Sequence, residues 1–281
     1  MADTTAISFS CNPLNEILAN TGIDAEVGGT VIEYANYNNS DITYKGTLGW
    51  RPYGISETAV RLVPSIESYM PKAGMVSKSG DVLETGRSVE IPVSLVYPTW
   101  YAKQVAHGSA TTVITEPSSP ITTTIDETPT AATNFSVVVA STTDFVAGQE
   151  IGIVTGSSTY GTQEEFTIIK SVDAGTKTIT FTKPIFQLPV DGAAVRVIAQ
   201  KSLESIACGD IVAKQIRIVK FDRSAGNIRI DHILKAKLKA IAGADDGDGK
   251  VAAKYGFTLE VLPEYNPSTS QFSFYKTYYI N

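Results

Sequence analysis

Histidine, cysteine and methionine are scarce in this chain, and the first two shortages each narrow the chemistry. Two histidines among 281 residues, His107 and His232, cannot build a histidine-rich metal site. Two cysteines, Cys11 and Cys208, pair only if the fold brings them together, and two reduced thiols are the expectation. No apolar run approaches the roughly 20 residues that a membrane-spanning helix needs. The opening residues, MADTTAISFSCNPLNEIL, hold neither a basic leader nor an apolar stretch, which argues against export by that route. A phosphate loop and a dinucleotide-binding glycine motif are both missing. The formal net charge of −6 argues against a dedicated nucleic-acid binder.

What is present points to β structure. Thirteen Tyr and ten Phe against three Met suit sheets and interfaces, and 43% apolar with 19% charged residues is ordinary for a soluble globular protein. The length suffices for one large β domain or two smaller ones. Charge is unevenly spread. Residues 201–243 hold 9 basic and 4 acidic groups, net +5, whereas residues 107–200 hold 4 and 9, net −5. Such a band either meets an acidic face on a neighbouring copy or forms the solvated face of one sheet.

The middle of the chain is its most unusual part. Residues 111–133 read TTVITEPSSPITTTIDETPTAAT, a run whose Thr content favours extended backbone and whose Pro117, Pro120 and Pro129 exclude a regular helix. Five short strand signals follow over residues 135–140, 150–155, 165–172, 178–183 and 193–198, with turn residues between them. The clearest hairpin turns at residues 173–177. The expected layout is all-β: a discontinuous domain, 1–109 and 201–281, a Thr/Ser/Pro-rich linker or extended loop at 110–133, and an accessory β-barrel or β-sandwich at 134–200 inserted between the halves.

In the outer halves, residues 59–66 and 88–96 read as strands, and Pro64 and Pro92 favour edges or bulges. A short helix over residues 14–19 and another from Trp100 to Ala106 are expected, with loops at residues 36–41 and 70–80. Residues 211–221 and 227–233 form a hairpin. The stretch ILKAKLKA is ambiguous, because Ala, Leu and Lys favour helix while Leu234, Ala236 and Leu238 alternate with Lys235, Lys237 and Lys239 at period two. The period decides for a strand, which places the three lysines on one face.

Candidate chemistry is sparse. Asp245, Asp246 and Asp248 among glycines could suggest calcium, but the spacing is not that of an EF-hand loop and an ordinary turn is expected. Asp231 and His232 would point to opposite faces of a strand, as would Glu164 and Glu165, so neither pair can act as neighbours on one substrate. No strained serine elbow accompanies the histidine. Trp50, Tyr53, Trp100 and Tyr101 could offer stacking surfaces to sugars, although packing explains them equally well. No catalytic, cofactor-binding or metal-ligating set is assigned, and the expectation is a protein that is not an enzyme.

The runs RLVPSIESY, SVEIPVSLVYPTW, QIRIVKFDRSAGNIRIDHILKAKLKA and YGFTLEVLPE together resemble the tail tube (major tail) proteins of long-tailed bacteriophages. The middle, VVVASTTDFVA through EFTIIKS to residues 192–197, is similar to small β modules of phage virion proteins. The resemblance implies a β-sandwich or barrel with a flanking helix. It also implies hexameric rings stacked into a tube that conducts DNA at ejection, and contacts with other tail proteins. The place is then the virion tail, assembled in the host cytoplasm, with no membrane and no small-molecule substrate. Carried onto this chain, Asn36, Asn38, Asn39, Asp41, Pro71, Gly74 and Lys78 would lie in inter-subunit loops, and Arg217, Arg223, Asn227 and Arg229 in a ring-wall hairpin. Lys235, Lys237 and Lys239 would form an inter-ring or outer basic stripe, since a basic lumen would retain DNA phosphates. Other virion parts (tail-completion, baseplate or capsid decoration proteins) and a carbohydrate-binding or adhesin module are the alternatives.

Overall fold

The computed structural model describes residues 30–37, 44, 49–56, 60–69, 83–108, 110–127, 135–204, 213–222, 227–245, 254–266 and 271–280. It is almost entirely β. Four strands precede the single described helix: β1 (Thr30–Asn36), β2 (Arg51–Ser56), β3 (Val63–Tyr69) and β4 (Leu83–Pro98), followed by α1 (Trp100–Ala106). The middle contributes β5 (Thr111–Thr115), β6 (Thr122–Thr124), β7 (Ser136–Val138), β8 (Glu150–Ser157), β9 (Gly161–Asp173), β10 (Thr178–Phe181), β11 (Ala194–Ile198) and β12 (Gln200–Glu204). Then come β13 (Lys214–Asp222), β14 (Asn227–Asp245), β15 (Lys254–Val261), β16 (Glu264–Asn266), β17 (Gln271–Ser273) and β18 (Lys276–Ile280).

The outer halves build one eight-stranded antiparallel sheet, ordered β13-β1-β2-β4-β15-β14-β18, with β3 on β4. Long β14 pairs with β13 through its first half and with β15 through its second, so the ladder returns to its start. The sheet therefore curls around its own interior. Strict alternation explains why. In β15, Tyr255, Phe257, Leu259 and Val261 are buried while the residues between them are half-exposed. Ile32, Tyr34, Ile91, Leu95, Ile216, Ile218, Ile233 and Leu238 point into the same core.

Helix α1 caps that core with Ala102, Val105 and Ala106. Thr99 starts it: the hydroxyl accepts from the Ala102 N–H, and the Thr99 N–H donates to the Tyr53 carbonyl at 2.8 Å. Gly108, with φ +81°, follows where the last turn must reverse.

The middle strands form the second sheet, β6-β11-β8-β9-β10-β7, and a bridge between Ile125 and Val139 joins its two ends. This small barrel has its own core of Ile151, Ile153, Ile169, Ile179, Phe181, Val195 and Val197. Strands β5 and β12 pair with each other as a neck leading to it.

The expected all-β class, the helix from Trp100, the lysine-bearing strand and the turn at 173–177 are all present. At that turn the Asp173 carboxylate accepts from the Gly175 and Thr176 N–H groups, which holds its pKa below the usual range. Three expectations change. The described part of the Thr/Ser/Pro run is no linker: it supplies β5 to the neck and β6 to the barrel, because its threonines suit extended backbone. The barrel accordingly begins before residue 134. Strand β4 is central rather than an edge, and Pro92 is tolerated where one side of β4 has no neighbour, between the partners of Glu90 in β3 and Leu95 in β2. Residues 51–56, for which no strand was expected, form β2. The expected helix at residues 14–19, both cysteines, and Asp246 and Asp248 lie outside the described residues.

Two cores imply two separable responses to mutation. Phe257→Ala should cost the outer sheet about 3–5 kcal/mol. Amide hydrogen exchange should then accelerate in β4, β14 and β15 while protection in β8–β11 stays; uniform loss of protection would show instead that the two cores unfold as one.

Candidate functional site at the junction of the two sheets

The two bodies meet where the ends of β1 and β2 face the tip of the β8–β9 hairpin. Arg51, first residue of β2, enters the barrel side: its Nη2 donates to the Thr155 carbonyl and its Nη1 to Gln163 Oε1, each at 3.1 Å. Its Nε lies 3.8 Å from the Glu165 carboxylate, and both side chains are almost wholly buried. Glu165 also accepts from Thr155 Oγ1 and from the N–H groups of Phe186 and Gln187. Burial nevertheless raises its pKa above the usual carboxylate range, with Arg51 and these hydrogen bonds pulling the other way.

Neighbouring residues complete the seam. The Tyr34 hydroxyl donates to Gln163 Oε1 at 2.7 Å, and Asn36 Nδ2 donates to the Tyr160 carbonyl at 3.0 Å. Gln187 accepts from the Gly49 N–H and donates to the Trp50 carbonyl. The hairpin tip can come this close because of two glycines with positive φ. A Cβ on Gly156 would lie 2.6 Å from Arg51 Nη2, and one on Gly161 would collide with the Asn36 amide.

Beneath the seam lies a cavity of about 280 Å³, lined by Tyr34, Asn36, Arg51, Tyr101, Gln163 and Lys214 among others. Tyr34 and Tyr101 stack at 4.3 Å. Burial lifts the phenol of Tyr101 to about 12 and raises that of Tyr34 well above its ordinary range. Lys214 is shifted the other way, below the usual lysine range, first by burial and then by the Arg51 charge.

The opposite face of β1 and β13 is buried as well. Glu33 and Arg217 form an ion pair with no exposure on either side chain. Arg217 Nη1 donates to the Tyr44 carbonyl at 2.7 Å, and its guanidinium lies 4.7 Å from the Trp50 ring. His232 packs edge-on to Trp50 with one ring nitrogen 3.3 Å from Gln215 Oε1. Burial, then the charges of Arg217 and Lys276, depress its pKa to about 4.

The residues expected at subunit contacts fall differently. Asn36 ends β1 and is committed within the chain, to Tyr160 and to Lys214. Asn38, Asn39, Asp41, Pro71, Gly74, Lys78 and Arg223 lie outside the described residues, as does the side chain of Asn227, the first residue of β14. Arg217 and Arg229 do sit on the β13–β14 hairpin, but Arg217 is fully buried and Arg229 pairs with Asp231. Lys235, Lys237 and Lys239 share the outer face and pair with Glu264, Glu260 and Glu90, the first two at 3.9 and 3.4 Å. Asp231 and His232 face opposite ways, as do Glu164, which holds Arg196, and Glu165. Trp50 and Tyr53 are buried and cannot stack on a sugar. Trp100 stands under Lys201 with its indole N–H on Thr112.

The chain matches no protein-family model and no curated protein sequence. Among the described residues, no group of three or more His, Cys, Asp or Glu side chains is placed to hold a metal ion, and no helix is long and apolar enough to cross a membrane.

Two outcomes follow from these networks. Arg51→Met leaves Glu165 buried without its cation and should cost about 3–5 kcal/mol. A double-mutant cycle with Glu165→Gln should return a coupling energy well above experimental error, and additive effects would mean that the 3.8 Å approach does no energetic work. For His232, the fold favours the neutral ring, so its contribution is complete above the unfolded pKa of about 6.5 and is lost as pH falls through about 4. Relative to His232→Gln, the wild type should lose on the order of 3 kcal/mol between those pH values; parallel stability profiles for the two proteins would contradict this.

Proposed function

We propose that this chain is a structural virion protein whose copies assemble into stacked rings, hexameric in the sense the resemblance implies, forming a bacteriophage tail tube that conducts DNA. The observation that supports the reading best is the state of the outer sheet's margins. Strand β3 pairs only with β4 and β18 only with β14, so each leaves one row of backbone donors and acceptors without a strand neighbour among the described residues. Such edges are templates for pairing with another chain unless they are blocked. Here they are flanked by exposed apolar side chains: Val63 and Ile66 on β3 are 47% and 62% exposed, and Tyr279 on β18 is 70% exposed.

The remaining features are compatible with a tube wall. The lysine stripe is matched by carboxylates within the chain, so it does not present a bare cationic surface to hold passing phosphates. The small barrel, reached through the β5–β12 neck, serves in this reading as an outward accessory domain. In this reading the partners are further copies and other tail proteins, the place is the virion tail, and the role is architectural rather than catalytic.

Negative-stain microscopy and light scattering of the concentrated protein test the proposal. Rings or tubes of uniform diameter are expected, and Ile66→Lys on the β3 margin should shift the population towards monomers without altering the circular dichroism spectrum. A protein that stays monomeric at every concentration would refute it.

A further inference from the structure

The basic band between residues 201 and 243 is almost fully compensated inside the chain. Lys201 pairs with Glu150, Arg217 with Glu33, Lys220 and Arg229 with Asp231, and the three stripe lysines with Glu264, Glu260 and Glu90. Among the described residues of that band, Lys214 alone has no carboxylate. Its ammonium donates to Asn36 Oδ1 at 2.8 Å and lies 5.7 Å from the Tyr101 ring.

Lys214 faces the junction cavity together with Arg51, whose Nε has no hydrogen-bond partner. The acid nearest Arg51, Glu165, already accepts from Thr155, Phe186 and Gln187 at the back of the site. The hydroxyl of half-buried Tyr101 makes no hydrogen bond with the described residues, and Tyr101 borders the same space. Two cations and a phenol donor thus converge on a half-enclosed volume that offers no free carboxylate. Of the two cations only Lys214, half-buried on the neutral Asn36, lacks a carboxylate, and an anion in the cavity would offset the cost of its desolvation while collecting charge-assisted hydrogen bonds.

We propose that this cavity binds a small phosphate-class oxyanion, as free phosphate or a phosphomonoester, held by Lys214, Arg51 and the Tyr101 hydroxyl. The walls come from both bodies, Asn36, Arg51, Tyr101 and Lys214 from the outer domain and Tyr160, Thr162 and Gln163 from the barrel. A bound anion therefore fastens the accessory barrel to the outer sheet. Burial and the Arg51 charge lower the Lys214 pKa, and a bound anion opposes both effects.

The test uses the full chain, with inorganic phosphate and methyl phosphate titrated calorimetrically against acetate at matched ionic strength. Saturable one-to-one binding of phosphate, accompanied by a rise in Tm, is expected. Lys214→Met should weaken it about tenfold or more and Tyr101→Phe by several-fold, while Lys239→Met, outside the cavity, should leave it unchanged. The inference is overturned if wild-type protein shows no saturable phosphate binding or if Lys214→Met binds equally well. Equal affinity for acetate would also sink it, as would binding of a single-stranded oligonucleotide with free phosphate silent.

Discussion

Arg51 is the residue on which the arrangement of the two bodies depends. It begins a strand of the outer sheet, yet its guanidinium is solvated by groups of the inserted barrel: the Thr155 carbonyl, Gln163 and the Glu165 carboxylate. A buried guanidinium that loses such partners is left with an unpaid desolvation cost of several kcal/mol. The β8–β9 hairpin is therefore held against β1 and β2 by the need to satisfy a charge as much as by apolar burial. Gly156 and Gly161 permit the approach, and Tyr34, Asn36 and Gln187 spread the seam over several hydrogen bonds.

The second constraint is that β1 and β13 are buried on both faces. Inward, Ile32, Tyr34, Ile216 and Ile218 join the main core. On the other face, Glu33 and Arg217 pair directly, enclosed by Trp50, Tyr44 and His232. A strand buried on both sides usually reads as a continuous apolar run. Here polar residues occupy alternate positions and neutralise one another, so the strands retain an amphipathic appearance without an exposed face.

This explains where sequence reasoning succeeded. The alternation in the lysine segment of β14, the helix opening after Thr99 and the hairpin at residues 173–177 are local patterns, and local stereochemistry was enough to read them. The opposed directions of Asp231 and His232, and of Glu164 and Glu165, followed from strand geometry alone. The junction was not legible. Nothing adjacent to Arg51 in the chain signals that its partners lie more than a hundred residues away, and an Arg beside Trp and Pro looks like any surface turn. Gly156 and Gly161 carried a signal, since paired glycines flanking a hairpin tip suggest close approach, but they do not say to what.

Composition and periodicity by themselves determined that the chain is all-β, that a compact strand series sits between two halves of a larger sheet, and that the lysines at 235, 237 and 239 share a face. They could do so because side-chain alternation and turn chemistry act over a few residues. Only the tertiary structure decided that the Thr-rich run belongs to the neck and the barrel, that Arg217 is interior, and that the basic band is matched within the chain save at Lys214. Those outcomes depend on which distant groups desolvate together, and the free energy of a buried charge is set by its three-dimensional neighbours rather than by its neighbours in sequence.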